Sequence, residues 1–397
     1  MEVEPHFFEC TEPISLQSGE LLPGFTVAYE SYGQLNDARD NALLVFHALS
    51  GSQHAAGVCT SVPGVGTRWS EDMYVGWWDD FIGPGKVLDT NKYFVICANY
   101  LGGCYGTTGP SSPHPETGDP WGSRFPHVSV ADVVRSQMLL LDHLGIERLH
   151  AAIGASIGGL MALSVATLFP ARVKLVVLIA SGLCTTVLNR LILFEQILAI
   201  ENDPHFHGGD FYNGQPPVYG LALARMISHK TFVHLDTIER RARGEVQQPG
   251  DQLSWYRLHD NVESYILHQG KKFVRRFDAN TYLRICEMWS AFDPLRDAGV
   301  EDWRDLFKPC REQGHHYLIF TIDSDFCFYP EEQATLVDTL REARVSCMYI
   351  TVHSDKGHDS FLLEPELYTP HLAYALEGAR FNGRAPQSTP IERGDLF

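Results

Sequence analysis

Short β-rich runs, the later ones separated by helical patterns, limit what this chain of 397 residues can fold into. The runs are "FTVAYESYG" (25–33), "NALLVFHAL" (41–49), "KYFVICANY" (92–100), "LHAAIG" (149–154) and "VKLVVLIA" (173–180). Between the later ones lie "VADVVRSQMLLLDHLG" (130–145) and "GGLMALSVATLFP" (158–170), both with helical periodicity. Apolar strands alternating with helices predict a largely parallel sheet covered on both faces. From about Cys184 to Ala298 the periodicity is helical throughout, as in "TTVLNRLILFEQILAIE", "VYGLALARMISHK" and "DANTYLRICEMWS". Then "HHYLIFTID" (315–323), a helix near 330–343, "VSCMYITV" (345–352) and a last helix near 360–378 restore the alternation. The simplest reading is one α/β core in two parts, residues 1–184 and 299–379, with a helical insertion at 185–298 after the fifth or sixth strand. Residues 380–397, "RFNGRAPQSTPIERGDLF" from Arg380, read as a polar tail.

At the end of one of these strands stands "Gly154-Ala155-Ser156-Ile157-Gly158", followed by Gly159. The pattern is G-x-S-x-G, with an apolar strand before it and a helix after it. A sharp strand-to-helix turn puts its serine in a strained conformation and needs small neighbours so that backbones can approach. The serine then lies at a helix N-terminus, where free N–H groups favour developing negative charge. A packing turn is the bland alternative.

A serine hydroxyl needs a base to take its proton, and the base needs an acid to orient it. Late in the chain, "HHYLIFTID" ends in Asp323-Ser324-Asp325, and "VSCMYITV" is followed by Ser354-Asp355-Lys356-Gly357-His358-Asp359. The order Ser, Asp, His is that of the α/β-hydrolase arrangement, and both partners fall at C-terminal strand ends, where open α/β sheets place their sites. Strand alternation does not choose between Asp323 and Asp325, which lie two apart. The oxyanion of an acyl-transfer intermediate needs two donors. Ile157 N–H is one candidate, and Leu49 N–H, in "His47-Ala48-Leu49-Ser50-Gly51" at the end of "NALLVFHAL", is the other. An ordinary strand-ending turn explains Leu49 equally well.

Charge and cysteine usage narrow the partners. With 31 basic and 49 acidic residues the net charge is −18, which argues against nucleic acid and anionic membranes. Nine cysteines at irregular spacing, without a CxxC pair, fit reduced thiols in the cytoplasm. "MEVEPHFFEC" has no signal-peptide pattern, and no apolar run is long enough to span a bilayer. His205, His207, His315 and His316 suggest metal only superficially, since no third ligand stands at usable spacing, and no metal is expected.

Several longer stretches resemble the homoserine O-acetyltransferase family, a branch of the α/β-hydrolase superfamily. They are "HALSGSQHAAG" (47–57), the block from "GWWDDFIGPGKVLDT" through "LGGCYGTTGPSS" to "GDPWGSRFP" (76–126), "GASIGGLMAL" (154–163), "VESYILHQGKKFVRRFDANTYL" (262–283), "DSDFCFYP" (323–330) and "GHDSFLLE" (357–364). The resemblance implies an α/β-hydrolase fold with a helical lid and transfer of an acyl group from acyl-CoA, through a serine, to an amino-acid hydroxyl. The usual acceptor is L-homoserine, the usual setting methionine biosynthesis, and the usual assembly a cytoplasmic homodimer without cofactor. By motif it selects Ser156 as nucleophile, Asp325 as acid and His358 as base. It gives Arg225 the amino acid's carboxylate and Asp359 its ammonium. Many relatives carry tyrosine where this chain has Phe232. Acetyl and succinyl donors, or homoserine and serine acceptors, are not separated at this level. Neither residue pattern excludes a plain serine esterase, although an intact Ser/Asp/His set speaks against a non-catalytic binding module. The basic run Lys271-Lys272-Phe273-Val274-Arg275-Arg276 could meet CoA phosphates, but such runs are ordinarily solvated helix faces.

Overall fold

A computed structural model describes residues 1–244 and 253–378. Eight strands form the main sheet: β1 (His6–Cys10), β2 (Phe25–Tyr32), β3 (Ala42–Phe46), β4 (Phe94–Ala98), β5 (Leu149–Ala155), β6 (Val173–Ile179), β7 (His316–Ile322) and β8 (Ser346–Val352). Their spatial order is β1-β2-β4-β3-β5-β6-β7-β8. The first two pairings, β1 with β2 and β2 with β4, are antiparallel, and all the others are parallel. The edge strand β1 is not legible in the sequence. Its five residues contain a single buried side chain, Phe8, which is too short a pattern for alternation to announce it.

The parallel strands read as unbroken apolar runs because both faces are covered. Alternate residues of one strand enter different cores. Leu44 and Phe46 of β3 pack with the helices α1 (Val130–His143), α2 (Ile157–Leu168), α9 (Trp303–Glu312) and α10 (Pro330–Glu342). Leu43 and Val45 face the opposite core, shared with Trp78, Phe81 and the helix α12 (Pro365–Leu376). Where a single last helix was expected, Pro365 divides it into α11 (Ser360–Leu363) and α12. Glu364 leaves the helical region at φ −132°, ψ 63°, as the residue before a proline tends to do.

Between β6 and β7 the described residues contain helices and no strand. These are α3 (Val187–Glu201), α4 (Val218–Phe232), α5 (Leu235–Gly244), α6 (Asn261–Phe273), α7 (Ala279–Ser290) and α8 (Pro294–Ala298). Several start on side-chain caps. Thr186 and Asn189 exchange capping bonds at α3, Asp260 and Glu263 at α6, and Asp278 accepts from Thr281 N at α7. Gly299, at φ 67°, closes α8. The insertion thus leaves the sheet after the sixth strand. The polar tail at 380–397 lies outside the described residues. All nine cysteines are free thiols, and no described helix is long and apolar enough to cross a membrane.

Candidate active site

The glycines around Ser156 each answer to a close contact. A Cβ on Gly154 would lie 1.9 Å from the carbonyl oxygen of Gly158, and one on Gly158 would lie 2.4 Å from that of Phe46. At Gly159 it would meet the Ser181 side chain at 2.4 Å. Contacts this short cannot be relieved by a rotamer change at backbone atoms, so only glycine lets β5, α2 and β3 approach. Ser156 itself has φ 58° and ψ −131°, a conformation that L-residues occupy only under constraint. Its own N–H donates to Ile179 O at 2.9 Å, which ties the turn to β6. Ile157 is the first residue of α2, where an N–H has no acceptor within the helix.

The register of β7 with β8, ending at Ile322 opposite Val352, sets the next two loops side by side. Asp325 Oδ2 lies 2.7 Å from His358 Nδ1. Its Oδ1 accepts from the N–H groups of Cys327 (2.7 Å) and Phe328 (3.0 Å), so the carboxylate is fixed on both oxygens. Asp323 faces elsewhere, accepting from His353 Nδ1 at 2.7 Å and Ser354 N at 3.1 Å. An Nδ1–H given to Asp325 leaves Nε2 as the basic atom of the His358 ring. Among the described residues that Nε2 is buried without a hydrogen-bond partner, and His358 and Ser156 line the same cavity. Burial alone would lower the His358 pKa. The adjoining Asp325 charge and hydrogen bond more than offset it, and the net shift is upward. Phe328 stacks on the ring at 5.7 Å and Phe361 meets it edge-on at 5.4 Å.

Leu49 reaches this site because β3 neighbours β5, with Phe46 opposite Gly154. Gly51 N donates to Ala48 O at 2.9 Å, which makes Leu49 and Ser50 the central residues of a turn beside the start of α2. A buried network braces the chain beyond the turn. Tyr32 Oη accepts from Ala55 N (2.8 Å) and Ala56 N (3.0 Å) and donates to Glu30 at 2.6 Å. Glu30 also meets His54 Nδ1 at 2.8 Å, while His54 Nε2 lies 3.1 Å from Tyr74 O. None of these partners was legible beforehand, since they are scattered through strand and loop.

The cavity has a volume of about 350 Å³, in the range of small-molecule sites. Arg225 and Asp359 line it together with Ser156 and His358. Among the described residues neither Arg225 nor Asp359 has a salt bridge or a side-chain hydrogen bond. Burial first, then the neighbouring Arg276 charge, lowers the Arg225 pKa, and burial raises that of Asp359. The Arg225 guanidinium lies over Phe273 at 4.9 Å and Phe232 at 5.4 Å. Phe232 is also 5.9 Å from the His358 ring. Of the basic run, Lys272 and Arg276 line the cavity, and Lys272 pairs with Asp72 at 3.0 Å. Glu332, on the first turn of α10, was not anticipated either. Burial raises its carboxyl to about 7, and Asp325 adds to the shift. The histidines of the superficial metal pattern take other partners: His315 Nε2 lies 2.6 Å from Pro170 O, and His205 Nδ1 is 3.3 Å from Asp203.

The model of a family described as the alpha/beta hydrolase fold matches residues 41–365. A homoserine O-succinyltransferase of Aromatoleum aromaticum is 42% identical over 374 residues, covering 94% of this chain and 96% of the relative. A homoserine O-acetyltransferase of Carboxydothermus hydrogenoformans is 40% identical over 367 residues, covering 92% and 93%. Among solved structures, a homoserine O-acetyltransferase from Bacillus anthracis superposes with a TM-score of 0.83 at 27% identity, over 95% of this chain and 98% of that one. An esterase reaches the same TM-score at 25% identity, over 94% of this chain.

Proposed function

The chain belongs to the homoserine O-acyltransferase family of the α/β-hydrolase fold, and from that premise we propose that it carries an acyl group from acyl-CoA, through Ser156, to the side-chain hydroxyl of L-homoserine. The observation that carries the acceptor is the cavity itself. A guanidinium and a carboxylate, neither in a salt bridge or a side-chain hydrogen bond among the described residues, stand in one space with a nucleophile and a base. A zwitterionic amino acid loses water from both its charged groups on entry, and each then needs an opposite charge. Arg225 offers a two-point fork to the α-carboxylate. Asp359, adjacent to His358 in the chain, holds the ammonium so that the side-chain hydroxyl lies near Nε2.

In this reading His358 Nε2 takes the Ser156 proton as Oγ attacks the thioester carbonyl. The N–H groups of Leu49 and Ile157 receive the oxyanion, and the tetrahedral intermediate expels the CoA thiolate, which takes the proton from His358. The homoserine hydroxyl then gives its proton to Nε2 and attacks acyl-Ser156. Collapse returns the proton to Ser156 and releases O-acyl-L-homoserine. No cofactor enters these steps, and the product belongs to methionine biosynthesis. Acetyl-CoA is the donor of the first reading. Succinyl-CoA is the second, favoured by the succinyl names of the 42% identical relatives. Steady-state rates with both donors crossed against L-homoserine and L-serine test the proposal. Free CoA released equally fast with no amino acid present would instead favour an esterase.

The helical insertion acts as a lid in this scheme, since Arg225, Phe232, Gln269, Lys272, Phe273 and Arg276 of the cavity wall all come from it. A homodimer completes it. On α3 the side chains of Val187, Leu191, Phe194 and Leu198 form one exposed apolar stripe, and α4, packed beside it, exposes Tyr219 and Leu223. A second copy related by two-fold symmetry would cover this pair with its own. Free thiols throughout fit a cytoplasmic enzyme.

A further inference from the structure

Arg276 joins two parts of the molecule that the proposed chemistry needs in register. It follows α6 within the insertion, yet its Nη1 donates to the carbonyl oxygen of Ser50 at 3.0 Å, across 226 residues of sequence. The same nitrogen lies 3.3 Å from Tyr105 Oη, and Tyr105 Oη in turn donates to the Arg276 carbonyl at 2.7 Å. Side chain and backbone of Arg276 are therefore both pinned by one tyrosine. Its guanidinium lies over the Phe273 ring at 5.1 Å, and Arg225 lies over the same ring at 4.9 Å. Ser50 is the residue after Leu49 in the Ala48–Gly51 turn. The other end of the turn is held from the sheet side, where Tyr100 Oη donates to His47 O and the two rings stack at 3.8 Å.

We propose that Arg276 is a positioning residue that fixes the Leu49 N–H toward the oxyanion by holding the Ser50 carbonyl, so that the oxyanion hole is complete only when the insertion is docked. The Leu49 N–H and the Ser50 carbonyl belong to the peptides that flank the turn's central one, so holding the carbonyl restrains the turn as a unit, and an oxyanion donor is effective only when already aimed. A guanidinium suits the task, because it can hold a carbonyl and a tyrosine oxygen from one nitrogen while its plane rests on an aromatic ring. Lysine at this position keeps the charge and loses that geometry.

The inference rests on Ser156 as acyl carrier. Both half-reactions pass through an oxyanion at the same donors, whereas a group that binds one substrate's anion serves only one of them. Rapid-quench measurement of Ser156 acylation by acyl-CoA and by p-nitrophenyl acetate, and of acyl transfer to L-homoserine, separates the two. Arg276→Lys is expected to slow all three steps by the same factor, about 10- to 100-fold, with the KM of each substrate unchanged. A loss confined to one step, with a raised KM for that substrate, overturns the proposal in favour of direct substrate binding, and unchanged rates overturn it outright. If Arg276→Lys does not fold, Tyr105→Phe, which removes one support of the guanidinium, is expected to show a smaller but equally shared loss. If the unaltered protein transfers nothing to L-homoserine, the acceptor reading fails, while the p-nitrophenyl acetate arm still decides on Arg276.

Discussion

In the proposed mechanism, removing the Ser156 hydroxyl leaves the oxyanion donors and the cavity in place but no group to carry the acyl chain. Ser156→Ala is therefore expected to lower kcat by on the order of 10⁴-fold, with loss of the acyl-Ser156 adduct seen by mass spectrometry and of ping-pong kinetics. Asp325→Asn should cost far more activity than Asp323→Asn, because only Asp325 contacts His358. The base must be neutral to act, so activity falls as pH falls through its pKa. With that pKa raised by Asp325, the acid limb of kcat/KM should lie above the ordinary imidazole value of 6.5. In Asp325→Asn the limb should move to lower pH, even as the plateau falls. A limb that stays put would remove Asp325 from the role of orienting acid. If Arg225 holds the α-carboxylate as proposed, Arg225→Ala takes away charged hydrogen bonds of about 1.5–3 kcal/mol, and kcat/KM for the amino acid should drop roughly 10- to 150-fold. Acylation by acyl-CoA should be little altered, and equal damage to both steps would make Arg225 a brace for the insertion only.

At the scale of elements, the site depends on how closely α2 approaches β3. Gly158→Ala would set a methyl group 2.4 Å from Phe46 O, forcing the helix start and the strand end apart. Such overpacking typically costs about 1–3 kcal/mol. The urea midpoint should fall with an unchanged slope, and activity should fall more than stability implies, since the same movement displaces Ser156 from the Leu49 turn. Full activity in a folded Gly158→Ala protein would mean that this approach is not needed for catalysis.

For the whole molecule, the apolar stripe on α3 and α4 predicts association. Light scattering should give the mass of two chains for the native protein. Leu191→Asp with Phe194→Asp should give one chain, with the secondary structure retained, because both side chains are more than half exposed in the single chain. A native protein that runs as one chain at micromolar concentration would contradict the proposed dimer. Because Arg225 and Phe232 also lie on α4, the monomeric variant is expected to keep Ser156 acylation and to lose part of its affinity for the amino acid.

Sequence alone determined the alternation of strands and helices, a helical insertion after the fifth or sixth strand, and the order serine, aspartate, histidine at strand ends. Each of these is written in neighbouring residues: continuous apolar runs for strands buried on both faces, helical periodicity for the insertion, small residues around a strained serine. The choice of Asp325 over Asp323 needed either a motif or the fold, because residues two apart point the same way until the chain turns after Ile322. Only tertiary structure placed Leu49 beside Ser156, through the pairing of β3 with β5 across more than a hundred residues. It alone turned Arg276 inward from a run that reads as a solvated face, and it alone gathered Glu30, Tyr32 and His54 into one network. The physical reason is range. Periodicity and capping act over a few residues, whereas a hydrogen bond between Arg276 and Ser50 exists only after the insertion has packed against the sheet.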